Sequence, residues 1–405
     1  MAQSVEPIPI SKLASSIQPS ATLAAAAKAR QMRAEGIGVF DFSLGEPDFP
    51  TPEHICRAAF KAMQDGHTHY TPASGIPELR AAIARVYQKE YGLRCSADQV
   101  IVSNGAKHSL YNALAATCGP GDEVIIPSPY WVSYSDLVQM TGASYVLVQT
   151  SRESGFKMSP AQFRAALTPR TRLLMLNSPS NPTGSVYSRQ ELEVLADSAL
   201  EAGITILSDE IYERLVFGDV KATCFATLRP GLAEQTITIS GVSKSYAMTG
   251  WRMGWAVGPA HVIKAMGNVQ GQQTSNPSSI SQYAALAALE GDQDCVEKMR
   301  REFEARRELV CRRLSAMQGI VCPVPGGAFY AFFNVAAYFG RSLGGKKVTD
   351  SAGFCQAALE TAHVNLVPGA AFGAEGYCRL SFAASREQLN SGLDRLEQLL
   401  KESKK

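Results

Sequence analysis

The sequence predicts an α/β fold, with a large domain on a mainly parallel central sheet and a smaller α+β domain, and three observations support it. Short apolar runs alternate with helical patterns through the middle of the chain. Several of these runs lack polar alternation, as expected of strands covered on both faces. Near residue 295 the pattern changes to a long amphipathic stretch followed by mixed short strands.

The expected strands come in order: QVIVSN (99–104), EVIIPS (123–128), SYVLVQ (144–149), RLLMLN (172–177), GITILSD (203–209), TITIS (236–240) and GWAVG (254–258). Helical segments separate them. Ser188-Arg-Gln-Glu191 reads as a capping box, with Leu192, Leu195, Ala196 and Ala199 following on one helix face. Strand–helix alternation of this kind implies a mainly parallel sheet. Beyond it, Val296, Met299, Phe303, Val310, Leu314 and Met317 predict a long amphipathic helix. Short strands follow around AFYAFFNV (328–335) and YCRLSFA (377–383), then a terminal helix carrying Leu389, Leu393, Leu396 and Leu400. Gly340–Lys347 reads as a surface loop. The expected division is residues 1–49 as an N-terminal arm and part of the small domain, 50–295 as the large domain, and 296–405 as the small domain.

Bulk properties narrow the function. At 405 residues, 45% hydrophobic and 19% charged, the chain has the makeup of a soluble enzyme with a large core. A net charge of +2 gives no electrostatic case for nucleic acid or an anionic membrane. The start, MAQSVEPIPISK, lacks the basic residues and apolar core of a signal peptide, and no run approaches membrane-spanning length. The nine cysteines are odd in number and scattered, with no CxxC pair or His/Cys cluster. This argues against a disulfide framework and a structural zinc, and suits a reducing cytosol.

Four stretches carry possible chemistry, each weak alone. In SGVSKSYAMTGWRMG (240–254) a single lysine, Lys244, sits among small and hydroxylated residues. A free lysine, with a pKa of about 10.4, is a poor nucleophile unless desolvated or placed near another cation, and Arg252 lies downstream. A surface-loop lysine fits that stretch equally well. In SDEIYERL (208–215) Asp209 falls at the carboxyl end of an expected strand, where open parallel sheets bind ligands, and Tyr212 follows. A helix-capping role for Asp209 remains the simpler reading of that run by itself. NSPSNPTG (177–184) is a proline-fixed loop that could aim the Asn181 amide at a ligand. VSNGAKHSL (102–110) runs a strand into a helix through Asn-Gly-Ala, and exposed N–H groups there suit a phosphate. With Trp131, the set is the equipment needed to hold a phosphorylated pyridine aldehyde.

Taken in order, these motifs closely resemble the fold-type I pyridoxal-phosphate aminotransferases of class I, and most nearly the bacterial-type (I-beta) aspartate aminotransferase subgroup, which also contains aspartate/prephenate aminotransferases. The resemblance runs from PSAT (19–22) to the C-terminus. It includes LGEPDFPTP (44–52), YTPASGIPELR (70–80), PSPYWVSY (127–134), NSPSNPTG, SDEIYE, SKSYAMTGWRMG and RLSFA (379–383).

The resemblance implies a role for each matching residue. Lys244 carries the cofactor, pyridoxal 5'-phosphate, through a Schiff base and shuttles a proton at the substrate Cα. Asp209 pairs with the pyridine nitrogen and keeps the ring an electron sink. Tyr212 and Asn181 bond the ring oxygen, and Trp131 stacks on the ring face. The turn at Gly105, the backbone of Ala106 and Lys107, and the side chains of Ser243 and Arg252 hold the phosphate. Tyr70 reaches that phosphate from a neighbouring subunit, which makes the enzyme a homodimer. Arg379 grips the substrate α-carboxylate, supported by Asn181, Trp131 and the Gly45 backbone. Because Arg379 lies in the smaller domain, closure of that domain on substrate is expected.

Substrate choice rests on a second cation. The animal-type branch takes an arginine from the region matching NVQGQQTSNPSS (268–279), and that segment contains none. In the bacterial-type subgroup the distal carboxylate falls to a lysine matching Lys107 and a hydroxyl matching Thr22, and both are present. The expected reaction is transfer of the amino group of L-aspartate to 2-oxoglutarate by ping-pong half-reactions. The same pair accompanies use of prephenate, alone or beside aspartate. A C–S lyase, an aminocyclopropane-carboxylate synthase or a kynurenine-type transaminase needs no distal cation. A non-catalytic transcriptional sensor is disfavoured, because the residues ahead of PSAT are too few for a helix-turn-helix module.

Overall fold

The computed structural model describes residues 8–404; residues 1–7, at the start of the expected arm, and residue 405 lie outside the described residues. After a two-residue strand, β1 (Phe40–Asp41), seven strands build the central sheet. They are β2 (Val100–Asn104), β3 (Glu123–Ser128), β4 (Ser144–Gln149), β5 (Thr171–Asn177), β6 (Thr205–Asp209), β7 (Thr236–Gly241) and β8 (Met253–Val257). Each of the seven expected runs supplies one of them. Their order across the sheet is β2-β8-β7-β6-β5-β3-β4.

The ladders β4–β3, β3–β5, β5–β6 and β6–β7 are parallel, whereas β8 runs antiparallel to both its neighbours, β2 and β7. That reversal matters for the site. β2, β5, β6 and β7 all finish at one edge of the sheet, and β8 begins there. Asn104 is paired with Met253, and Gly241 with Gly254.

The missing polar alternation has a direct cause. Leu173 and Met175 of β5 enter one core with Leu110, Leu114 and Ile263, while Leu174 and Leu176 enter another with Leu192, Leu195 and Ala199. A strand packed by helices on both faces has no solvent side to mark with polar residues. The exception is β4, an edge strand whose residues are mostly half-exposed. The helix Arg189–Ala202 begins at the expected capping box: Ser188 Oγ accepts from the Glu191 N–H and Glu191 accepts from the Ser188 N–H.

The C-terminal part assembles around β9 (Tyr330–Asn334), a short hairpin of β10 (Ser342–Leu343) and β11 (Lys346–Lys347), then β12 (Val364–Asn365), β13 (Val367–Pro368) and β14 (Tyr377–Ser381). The hairpin replaces the loop expected over Gly340–Lys347. Gly344 and Gly345 adopt positive φ at its tip, the conformation a two-residue turn requires. β13, β14 and β9 form an antiparallel sheet, and β1 pairs in parallel with β12. The Ser381 N–H then bonds the Phe42 carbonyl, so the segment after β1 lies along β14. The long helix Asp294–Ala316 and the terminal helix Arg386–Lys401 cover this assembly, and Phe303, Val310, Leu314, Leu389, Leu393 and Leu396 share one core. Among the described residues no helix is long and apolar enough to cross a membrane.

Leu393 is fully buried in that core. Leu393→Ala should therefore cost about 2–5 kcal/mol through lost burial and the cavity left behind. Calorimetry should show a lower thermal midpoint, and an unchanged midpoint would contradict the packing described.

Candidate active site

The shared sheet edge opens into a cavity of about 470 Å³. Four of its walls follow from the topology: the ends of β5 and β6, the turn after β7 and the start of the helix Ala106–Thr117. The fifth comes from β14 and from the chain after β1. Register places Asn177, the last residue of β5, beside Asp209, the last of β6.

Lys244 sits in a one-turn helix, Val242–Ser245, directly after β7. Its ammonium donates to the Gly45 carbonyl, delivered by the segment after β1. Burial pulls its pKa down to about 8; Glu46 opposes the shift, while Arg252 and Arg379 reinforce it. Glu46 also accepts a hydrogen bond from Thr249 Oγ1 at 2.8 Å. The lysine is thus far closer to neutrality at physiological pH than a solvated one.

Asp209 is buried, and burial raises its carboxyl to about 6; bonds from the Tyr134 hydroxyl and the Ile211 N–H and the charge of Lys244 pull it back only in part. Tyr134 Oη lies 2.6 Å from Asp209 Oδ2. Tyr134 is a site residue that sequence reasoning passed over, although it stands in the quoted PSPYWVSY one helical turn beyond Trp131. Asn177, also missed, binds two pieces of the wall. Its amide donates to the Asp209 carbonyl at 2.9 Å, and its Oδ1 accepts from the Asn181 N–H at 2.8 Å.

Arg379 is 1% exposed and lies at the centre of β14. Its guanidinium donates to Asn181 Oδ1 at 2.8 Å and to the Ser43 carbonyl at 2.7 Å, and stands over the Tyr330 and Phe372 rings at 4.5 and 4.9 Å. Among the described residues it has no carboxylate partner, and Nε has no acceptor. Burial lowers its pKa. Tyr212 is buried with its hydroxyl 2.7 Å from that of Tyr330, not on Asn181 or Asp209.

At the other end, Lys107 Nζ stands 4.8 Å over the Trp131 ring. Burial lowers its pKa and the charge of Arg252 adds to this. Arg252, at positive φ just before β8, donates to the Thr249 carbonyl at 2.8 Å and packs on Gly105. A Cβ at Gly105 would come within 2.3 Å of its guanidinium, and the φ of +84° there already favours glycine. Gly254 is similarly pressed: a Cβ would lie 2.2 Å from the Ala106 nitrogen, where the helix start crosses β8. Ser243 lines the cavity beside Lys244, and Thr22 lines it from the helix Ala21–Ala34 with a buried hydroxyl that finds no partner.

The structure therefore brings Thr22, Gly45, Lys107, Trp131 and Asn181 onto one cavity with Asp209, Tyr212, Ser243, Lys244, Arg252, Arg379 and Ala106. Gly105 lies under Arg252 at its margin. Tyr70 is not brought there by this chain; it is 90% exposed and lines no part of the cavity. The cavity holds four basic side chains, Lys107, Lys244, Arg252 and Arg379, against two carboxylates, Glu46 and Asp209. A site of that balance is built for polyanionic ligands.

Comparison with known proteins agrees in sequence and in shape. The family model described as "Aminotransferase class I and II" matches residues 37–396. An aspartate/prephenate aminotransferase of Cereibacter sphaeroides is 47% identical over 94% of this chain and 96% of its own. The crystal structure of an aspartate aminotransferase from Rhizobium meliloti superimposes with a TM-score of 0.95 at 44% identity, covering 98% of this chain and 100% of that one. An aspartate aminotransferase from Thermus thermophilus, solved with maleate, gives 0.91 at 40% identity over 97% and 100%. With a match of that length and identities of that order, the chain belongs to the class I and II aminotransferases, and it is a transaminase.

Proposed function

We propose that this enzyme transfers the amino group of L-aspartate to 2-oxoglutarate, using pyridoxal 5'-phosphate held in the cavity at the sheet edge. One observation carries the reading: the cavity joins a buried arginine, Arg379, with no carboxylate partner among the described residues, with Lys107 and with a Thr22 hydroxyl that likewise finds no partner among them. Two cationic positions suit an amino acid with two carboxylates. The relatives' names point the same way, and the one solved with maleate holds a four-carbon dicarboxylate.

The residues present fit the cofactor. The first N–H groups of the helix Ala106–Thr117, with Ser243 and Arg252, are a donor set for a phosphate. Asp209 is a buried carboxylate short of a cation, which a protonated pyridine nitrogen would supply. Trp131 offers a ring face, and Asn181 and Tyr212 offer donors to the ring oxygen. When bound, pyridoxal phosphate supplies an electron sink for charge at the substrate Cα and a carbon that carries the amino group between half-reactions.

The protein's share of the chemistry follows from its own groups. Lys244 Nζ, lowered to about 8 by burial, is neutral often enough to act as nucleophile and then to take and return the Cα proton. Asp209, once paired, holds a proton on the ring nitrogen. Arg379 fixes the α-carboxylate through its fork, steadied by Asn181, and Lys107 with Thr22 receives the distal carboxylate. In this reading Arg379 belongs to a smaller domain beginning at residue 296, which closes on the sheet edge when a carboxylate arrives. The active form is a homodimer in which Tyr70, bare in one chain, reaches the partner's phosphate site. The scattered cysteines suit a cytosolic enzyme. Prephenate, whose second carboxylate can use the same cation, is a second acceptor to test, because relatives are named for both substrates.

Four outcomes check the assignment. Lys244→Ala should abolish turnover while cofactor still binds non-covalently, and a variant with full turnover would sink the mechanism. Arg379→Ala should weaken every amino acid substrate by about a hundredfold or more in kcat/KM, as loss of a buried charge-assisted contact does. Lys107→Ala should weaken mainly dicarboxylates and leave alanine turnover nearly unchanged; equal losses in both variants would refute the division of labour. Finally, uptake of cofactor by the apoenzyme should rise about tenfold from roughly pH 7 to pH 9 and then level, because the neutral amine reacts and its fraction grows through a pKa near 8. A rise continuing to the ordinary lysine range would show that Lys244 is not depressed.

A further inference from the structure

We propose that Tyr330 is a positioning residue for Tyr212: its hydroxyl donates to the Tyr212 oxygen and leaves the Tyr212 proton as the one directed at a ligand. The inference rests on the pyridoxal phosphate reading above and adds a residue that neither the sequence motifs nor the family match assigns.

The two hydroxyls are 2.7 Å apart, and among the described residues neither has another hydrogen-bond partner. Each phenol has one proton, so the pair can be arranged in two ways. If Tyr212 donated, the proton left without an acceptor among the described residues would be that of Tyr330, the more deeply buried of the two. Tyr330 is 0% exposed, and its oxygen is wedged against Gly45, where a Cβ would come within 2.6 Å of it. A buried donor without an acceptor is the costly outcome. If Tyr330 donates, its proton is satisfied, and the single free proton belongs to Tyr212; both phenols line the cavity, but Tyr212 is the less buried, 3% exposed against 0% for Tyr330.

Two further contacts favour that direction. The Arg379 guanidinium stands 4.5 Å over the Tyr330 ring, and a cation on the ring face draws charge from the phenol and strengthens it as a donor. The same cation opposes the rise in pKa that burial imposes on Tyr330. The ring itself cannot turn away. Tyr330 opens β9, is paired with Ser381 of β14, and meets the Tyr212 ring edge-on at 84°. The carboxylate-binding arginine and the ring-oxygen donor are thereby linked through one buried phenol.

The test is a pH titration of the visible absorption band of the holoenzyme, compared with Y330F, Y212F and the double variant. Phenylalanine keeps the ring and its packing, so only the hydroxyl is removed. A polarised Tyr212 donor favours the deprotonated chromophore, so Y330F should raise the titration midpoint by about half to one pH unit, the effect of one hydrogen bond. Adding Y330F to Y212F should move the midpoint no further. A Y330F midpoint equal to wild type overturns the proposal. So does an equal shift in the Y212F background, which would show Tyr330 acting independently. If the wild-type protein shows no titrating visible band after incubation with pyridoxal phosphate, the cofactor reading itself has failed and this inference goes with it.

Discussion

A guanidinium taken out of water and given no counter-ion is the constraint on which the site depends. Arg379 is almost wholly buried, held by one amide oxygen, one backbone carbonyl and two aromatic faces, with Nε left over. Desolvation of a cation is expensive, and these neutral partners offset it only in part. In the proposed reading, the remaining stabilisation is what an incoming carboxylate would provide. Asp209 presents the complementary case, a carboxylate that burial raises to about 6 and that the charge of Lys244 offsets only in part. In that reading the cavity holds both charges ready for a ligand that would supply the opposite sign to each.

Holding them there requires parts of the chain that are far apart in sequence. The Ser43 carbonyl that steadies Arg379 lies 336 residues away from it. The pairing of β1 with β12 and the bond from Ser381 to Phe42 bring it into place, and the same segment then presents Gly45 to Lys244. On the other side, the antiparallel β8 puts its first residues at the edge where β2 and β7 end. Arg252 reaches the turn after β2 for that reason, and Gly105 and Gly254 are glycines because the approach leaves no room for a Cβ.

The sequence made the central sheet legible because doubly covered strands tend to be apolar throughout, and several of the seven runs are. Two-residue strands such as β1, β10, β11 and β12 carry too few residues to show a period, so the hairpin over Gly340–Lys347 read as a loop. The site divides in a similar way. Lys244, Asp209, Asn181 and Arg379 sit in motifs that identify the family, and the structure gathers them on one cavity. Tyr134, Asn177 and Tyr330 escaped notice because their importance lies in partners. Tyr134 meets Asp209 across 75 residues and Tyr330 meets Tyr212 across 118, and nothing in local spacing announces either bond. The Asp209 run alone suggested a helix cap, and Asp209 does accept from the Ile211 N–H, but its other oxygen faces Tyr134 in the site.

The central claim is that one cavity binds a dicarboxylic amino acid at a lysine-linked pyridine cofactor and returns the amino group to a keto acid. The most direct test is the visible spectrum of the purified holoenzyme, recorded before and after adding L-aspartate alone and again after 2-oxoglutarate. The account predicts a yellow band that bleaches with aspartate and returns with the keto acid, so both half-reactions are seen in one cuvette. A yellow protein left unchanged by aspartate would contradict it: the cofactor would be present, but Lys107 and Thr22 would not be selecting the donor.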